Sequence, residues 1–236
     1  MDIKQQLLDK YKYKIELHAH SSPVSKCSEI SPKELVEFYI ENGYDAFVLT
    51  NHFTPFLFEN RSMKEGIDFY LEDYFKAKNY AKDRIKVFLG AEIRFKENRN
   101  EFLIYGVNRD ILQKVYDYFD KGVDAFRKEV KLDNSLFIQA HPFRENCTPI
   151  NPNLLEGVEV YNMHPGHNSK PALAVDFANE FGFKIKTVGS DFHHPIKGHI
   201  GIAYTRTSTL PRDSFDLVKI LKDNEYVIQI GNDILI

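Results

Sequence analysis

Short apolar runs alternate with longer amphipathic stretches along the chain. The runs at 13–17, 46–50, 86–91, 102–107, 136–140, 158–161, 184–188 and 226–230 are rich in Val, Ile, Phe and Tyr. That length and composition predict buried strands. The intervening stretches read as helices. Ser31-Pro32-Lys33-Glu34 is a helix start, with Ser placed to cap and Pro at the first helical position, where its missing N–H costs nothing. Leu35, Phe38 and Tyr39 then recur at helical spacing until Asn42-Gly43. Pro171 to Phe181 follows the same pattern, with Gly182 as its stop. Strand alternating with helix predicts a parallel sheet. An open doubly wound sheet and a closed barrel both fit it, and the polar positions decide between them.

Those positions are not scattered. His18 and His20 end the first run, Asn51-His52 follows the second and Glu92 ends the third. His141 follows the run at 136–140, and Asp191 and His193 follow the run at 184–188. Parallel strands bring such ends to one face, the face that holds the active site of a (β/α) barrel. In His-x-His on a strand both side chains point the same way and can grip one ion. Histidine with carboxylate suits zinc, manganese or iron, and Glu92 can bridge two ions. Ions so held acidify water and clasp the attacking and leaving oxygens of a phosphate. His194 and His199 read as surface or hydrogen-bonded residues, because Asp191 and His193 already supply the contacts at that end.

Composition narrows the setting. A chain of 236 residues fits one domain, with no repeat, low-complexity tract or linker. The net charge of −3 gives no electrostatic footprint for duplex nucleic acid. The two cysteines, Cys27 and Cys147, make no disulfide framework. The N-terminal segment lacks the apolar core of a signal peptide, and no run approaches membrane-spanning length. A cytoplasmic protein with no membrane partner is expected.

The segments Glu16-Leu17-His18-Ala19-His20-Ser21, Thr50-Asn51-His52, Gly90-Ala91-Glu92, Ala140-His141-Pro142 and Gly189-Ser190-Asp191-Phe192-His193, in this order, resemble the polymerase and histidinol phosphatase (PHP) superfamily. Members include histidinol phosphatases, exonucleases, protein tyrosine phosphatases and domains of bacterial replicative polymerases. The resemblance implies an α/β fold, a distorted seven-stranded TIM-like (β/α) barrel with the metal site at the C-terminal ends of its strands. It implies a single catalytic domain over 1–236 and two to three divalent ions. His18, His20, Glu92 and Asp191 would hold the first ion. Glu92 would bridge to a second, shared with His141, and His52 and His193 would hold a third. Asp191, Glu92 and His193 would be the catalytic residues.

Three positions depart from the fullest family pattern. Asn51 stands where many members have Asp, which weakens support for His52. Lys26 stands where trinuclear members carry another His, so the third site is lost or the Lys binds phosphate. Glu101 stands near a further family His, either as a carboxylate ligand or as a solvated charge at a strand start. Arg144 follows His141 closely and offers a bidentate phosphate clamp, and Arg94 leans to the same side as Glu92. Of His164 and His167 in the loop after the run at 158–161, His167 is favoured for the site. Cys27 reads as a small buried residue rather than a ligand.

The function expected is hydrolysis of a phosphomonoester on a small molecule, with Arg144, Arg94, Lys26 and His167 contacting substrate. A nuclease acting on nucleotides or short oligonucleotides is the rival enzyme. It would want basic and aromatic residues leading away from the metals, and the polar loops at 60–65 and 96–99 could serve either substrate. A non-catalytic, metal-stabilised module is the alternative outside catalysis, kept open by Asn51 and Lys26.

Overall fold

The computed structural model describes residues 2–195 and 201–235, so His199 lies outside the described residues. After a short helix α1 (Ile3–Lys10), the first apolar run forms β1 (Tyr13–Ala19). Ile15, Leu17 and Ala19 alternate with Glu16 and His18, and all five are fully buried. Helix α2 (Pro32–Glu41) begins as its sequence predicts. The Ser31 side chain accepts from the Glu34 N–H, and the Glu34 side chain reaches back to the Ser31 N–H. Gly43, at φ +70°, releases the chain into β2 (Ala46–Leu49). The two-residue strand β3 (His52–Phe53) and the long helix α3 (Met63–Ala81) lead to β4 (Lys86–Ile93).

The next step departs from the expected parallel sheet. The loop after β4 contains no crossover helix, and the chain returns at once as β5 (Phe102–Tyr105), antiparallel to β4. Helices α4 (Arg109–Tyr118) and α5 (Gly122–Glu129) then carry it to β6 (Leu136–Gln139), which β5 also pairs antiparallel. Parallel order resumes with β7 (Gly157–Asn162), α6 (Pro171–Glu180) and β8 (Ile185–Gly189). Because β5 runs backwards, its start, not its end, lies at the face where the other strands end. Glu101 is carried there.

The remaining elements are β9 (Ala203–Thr207), α7 (Ser214–Lys222), β10 (Tyr226–Ile230) and β11 (Asp233–Leu235). The sheet runs β11-β10-β9-β1-β2-β4-β5-β6-β7-β8, with β3 beside β4. It is curled into a half-barrel, an α/β arrangement short of the full distorted seven-stranded barrel that was expected. The reason is local. β9 occupies the edge of β1 from Tyr13 to Ile15 that a closing strand would use. Beyond it, the segment that follows β8 meets β1 through a bridge between Ala19 and Phe192 and through the Ser190 N–H donating to Glu16 Oε1 at 3.0 Å. Gly189 permits the approach: a Cβ there would collide with His18 Cβ and lie 2.9 Å from Glu159 Oε1. Among the described residues, no helix is long and apolar enough to cross a membrane.

Candidate metal centre

The strand ends deliver their polar residues to one point. His18 Nε2 lies 3.2 Å from Glu92 Oε1 and 3.4 Å from Asp191 Oδ1. His20 Nε2 lies 3.4 Å from Glu92 Oε2 and 3.2 Å from Asp191 Oδ1. Ligand atoms of these four residues fall within 4.8 Å of one another. His18 Nε2, His20 Nε2, Glu92 Oε2 and Asp191 Oδ1 are buried without a hydrogen-bond partner. Two imidazoles and two carboxylates converging on unpartnered atoms are what a divalent cation satisfies, and the residues fit one.

Hydrogen bonds behind each ring set its tautomer. His18 Nδ1 meets Glu159 Oε1 at 2.8 Å, so a proton sits there and Nε2 is the atom that faces the centre. His20 Nδ1 meets Ser25 Oγ at 3.1 Å. That hydroxyl accepts from the His52 N–H and donates to Asn51 Oδ1, so His20 also presents Nε2 as a base. His193 Nδ1 lies 2.8 Å from the Asp191 carbonyl oxygen, to which it can only donate.

A second group forms beside the first. His52 Nδ1 is 2.9 Å from Glu92 Oε2 and 3.9 Å from Glu101 Oε1, and these three residues make a further candidate ligand set. His141 Nε2 is 3.0 Å from Glu92 Oε1 and 3.7 Å from Glu101 Oε2. Glu101 is therefore no solvated charge; it is buried between two histidines. His20, His52 and His193 form a third group, with ring centroids 4.4 Å apart for His20 and His52 and 4.2 Å for His20 and His193. His141 at φ +28° and Asp191 at φ +50° hold left-handed backbones immediately after their strands. Such conformations cost on the order of 1–3 kcal/mol each and concentrate at working sites.

The charges are mutually supporting. Burial opposes a charge on His18, but Asp191, Glu159 and Glu92 overcome it and raise its pKa well above the usual value. Burial likewise opposes ionisation of Glu92, yet His18 and His52 hold it well below the carboxylate range. Burial, then the neighbouring His193 and His52, push His20 the other way, toward the neutral ligand form. Glu16 is raised by burial to about 7.

Arg144 stands inside this group, not on the surface. Its Nη1 is 3.4 Å from Asp191 Oδ2 and its Nη2 is 3.2 Å from Glu101 Oε2. Arg94 Nη1 is 3.7 Å from Glu101 Oε1. A cavity of about 290 Å³ opens beside His52 and Glu101, lined by Lys26, Arg61 and Arg94 with Phe56, Leu57 and Phe69. His167 stands further out than expected. It is exposed, and its ring lies tilted beside that of His164 with centroids 4.7 Å apart, while the His164 ring meets His193 edge-on at 5.1 Å. His194 pairs with Glu29 at 3.3 Å, away from the centre. Cys27 is not the small buried residue expected. It is exposed at the rim, on the wall of the cavity that His52 also lines.

Several supporting residues carried no assigned role in the sequence reading. Glu159 orients His18 and also accepts from the His141 N–H at 3.0 Å. Asn162 Nδ2 donates to Glu159 at 3.0 Å and to Asp191 at 3.2 Å. Glu16 Oε1 accepts from the His18 N–H at 2.9 Å. The signal for Glu16 and Glu159 was a lone carboxylate inside an apolar run.

The profile of the PHP domain family matches residues 16–225. The chain belongs to that family. Among solved structures, this PHP domain is similar to a two-domain protein from Bacteroides vulgatus, described as containing a predicted PHP-like metal-dependent phosphoesterase. The TM-score is 0.61 at 16% identity, covering 93% of this chain and 65% of that one. It is also similar to PfuEndoQ, a lesion-specific endonuclease from Pyrococcus furiosus, at TM-score 0.59 and 15% identity over 92% of this chain and 57% of that one. PsfC from Pseudomonas syringae follows at TM-score 0.58 and 14% identity, covering 83% and 81%. The chain thus spans less than two thirds of the first two proteins. No curated protein matches it.

Proposed function

We propose that this PHP domain is a divalent-metal-dependent phosphoesterase acting on a small phosphomonoester. The observation that carries the reading is the group of inward, unpartnered atoms of His18, His20, Glu92 and Asp191 with the Arg144 guanidinium beside it. His18, His20, Glu92 and Asp191 would hold one ion. Glu92 with His52, Glu101 and His141 would hold a second, zinc, manganese or iron by ligand type. Ions bound there supply Lewis acidity, lowering the pKa of water and neutralising charge on phosphoryl oxygens.

The chain's own groups do the rest. Arg144 offers two N–H groups to the phosphoryl oxygens, a planar match that Lys lacks. The strained backbones at His141 and Asp191 fix those side chains before substrate arrives. His193, with its proton held at Nδ1, turns Nε2 toward the centre, where it can bind an ion or take up a proton. The organic part of the substrate would lie in the cavity lined by Lys26, Arg61 and Arg94, with Phe56 and Phe69 as its apolar wall.

An oligonucleotide is the second reading, favoured by a wider groove of about 1110 Å³ that continues past Phe56 and Arg94 to Lys96 and Arg99. Its charge argues for the first reading. Glu59, Asp117 and Asp120 line the same groove, and Lys96 is paired with Asp120 at 2.5 Å. Around the centre, cationic excess is confined to Arg144 and the small cavity beside it, which suits a single compact anionic substrate better than a polyanionic strand. Assaying protein of measured metal content against phosphomonoesters and single-stranded oligonucleotides tests this. Release of phosphate from monoesters alone is expected. Cleavage of internal phosphodiesters would transfer the site to the nuclease reading, and no turnover with two ions bound would make it a structural module.

A further inference from the structure

We propose that a cavity over the start of β4, at the opposite end of that strand from the metal centre, binds a nucleoside phosphate. Lys78, Lys82 and Lys86 would hold the phosphate, and Tyr74, Phe75 and Phe215 the base. The proposal does not depend on the reaction at the metal centre.

The cavity follows from the fold. A β/α unit would lay a helix across the outer face of β4 before the next strand. Here β4 turns straight back into β5. The space between α3 and the starts of α4 and α7 stays open as a cavity of about 560 Å³. That size is within the ~300–1,000 Å³ usual for small-molecule sites. Leu71, Ile85, Val87 and Leu89 give it an apolar floor. Lys86 opens β4 and Glu92 stands near its far end, so at about 3.3 Å per residue the cavity and the metal centre are roughly 20 Å apart.

Two features make it a ligand site. The first is aromatic surface left in water. Phe75 on α3 and Phe215 on α7 are 50% and 38% exposed, and both line this cavity with Tyr74. Rings brought from two helices offer stacking faces to a planar base. The second is cationic charge left over. Arg109 is spent on Asp68 and Arg212 on Asp216. Lys78 Nζ donates to the Tyr74 hydroxyl at 3.1 Å, and Lys82 and Lys86 have no ion-pair partner among the described residues. Of the two acids on the wall, Asp213 already accepts from the Phe215 and Asp216 N–H groups at 3.0 and 2.9 Å, which leaves Asp83 against three ammonium groups. Lys82 also ends α3 at φ +51° and ψ −119°, a backbone that glycine adopts freely and other residues do not. A cation is thus kept where the backbone disfavours it, on the wall of this cavity. Inorganic phosphate would leave the rings bare, and an uncharged ring would leave the lysines without a counter-charge. A base carrying phosphate satisfies both.

The chain has no tryptophan, so Phe75→Trp places a single indole at the cavity. Its fluorescence is titrated in the full chain with ADP, adenosine and inorganic phosphate, with chelator present so that no ion supports hydrolysis. ADP is expected to change the emission saturably, and adenosine and phosphate to bind roughly tenfold more weakly or worse. Combining Lys82→Glu with Lys86→Glu should weaken ADP by roughly tenfold or more, while turnover of an aryl phosphate by the metal-loaded chain stays at the parent level. Lys82→Gly, which relieves the backbone, should melt no lower than the parent yet bind ADP several-fold more weakly. Calorimetry of the parent and the lysine variants with ADP repeats the comparison without the indole. No ADP binding in either measurement overturns the proposal, as does affinity that the lysine replacements leave within twofold or that adenosine equals. ADP binding abolished by Arg144→Lys belongs to the metal centre and overturns it too.

Discussion

Replacing Glu159 by Gln tests whether the carboxylate behind His18 is part of the metal centre. The substitution keeps shape and removes charge. Glu159 now accepts on both oxygens, from His18 Nδ1 at 2.8 Å on one side and from the His141 N–H and Asn162 Nδ2, each at 3.0 Å, on the other. An amide has only one acceptor. If it keeps His141 and Asn162, its NH₂ faces His18 Nδ1 and forces the ring proton onto Nε2, the atom needed for the ion. If it keeps His18, the NH₂ meets two donors. Both partners of the pair are nearly inaccessible, with 0% and 1% of their side chains exposed, so water cannot repair the loss. A buried charge-assisted hydrogen bond contributes about 1.5–3 kcal/mol, which predicts metal affinity weakened roughly tenfold to a hundredfold. Competition against a fluorescent chelator measures it, and a melting curve with excess chelator checks that the fold is retained. Affinity within twofold of the parent would refute the argument.

Asp191→Asn should preserve secondary structure and lower turnover by on the order of a hundredfold or more, because Asp191 Oδ1 serves both His18 and His20; unchanged turnover would remove it from the mechanism. Arg144→Lys should lower kcat/KM by roughly tenfold to a hundredfold and weaken inhibition by inorganic phosphate at constant metal content. If phosphate inhibition stays the same, Arg144 only balances Glu101 and Asp191. Burial raises Glu16 to about 7, so its protonated form is favoured in the fold; that contribution is complete below about pH 4.5 and is lost as pH rises through 7. Glu16→Gln, neutral throughout, should therefore gain up to about 3 kcal/mol over the parent at pH 8 and nothing near pH 4, by urea unfolding with chelator present. A difference independent of pH would count against a buried Glu16 carboxylate.

The elements were legible where composition and burial agree. Every apolar run became a strand because its residues are buried on both faces, and the caps at Ser31 and Gly43 acted through local chemistry that needs no tertiary partner. Direction was not legible. A strand reads alike forwards and backwards, and the only sign that β5 reverses is a preceding loop too short for a crossover helix. Strand β9 was missed because Ala-Tyr-Thr-Arg-Thr has no apolar run, although Thr205 and Thr207 are fully buried. The short strands β3 and β11 were missed as well, but β9 takes the edge of β1, so it is the unread strand that leaves the barrel open.

The site divides along the same line. Histidines at strand ends were found because parallel strands finish together. Carboxylates inside strands were passed over, although an unpaired buried carboxylate costs several kcal/mol and must have partners. Glu16 and Glu159 each sit within an apolar run, and each proves to hold a histidine or its backbone. Asn51 shows the opposite error. Its lost charge, read as weaker support for His52, is supplied from α3: Asp73 Oδ2 accepts from Ser21 Oγ at 3.1 Å, the Val24 N–H at 3.2 Å and Asn51 Nδ2 at 3.4 Å. Asn51 in turn braces Ser25 and, through it, His20 and the His52 backbone. An electrostatic need is met wherever a carboxylate can be brought within reach, so the missing Asp at 51 and the buried Asp73 on α3 are one feature split between two elements.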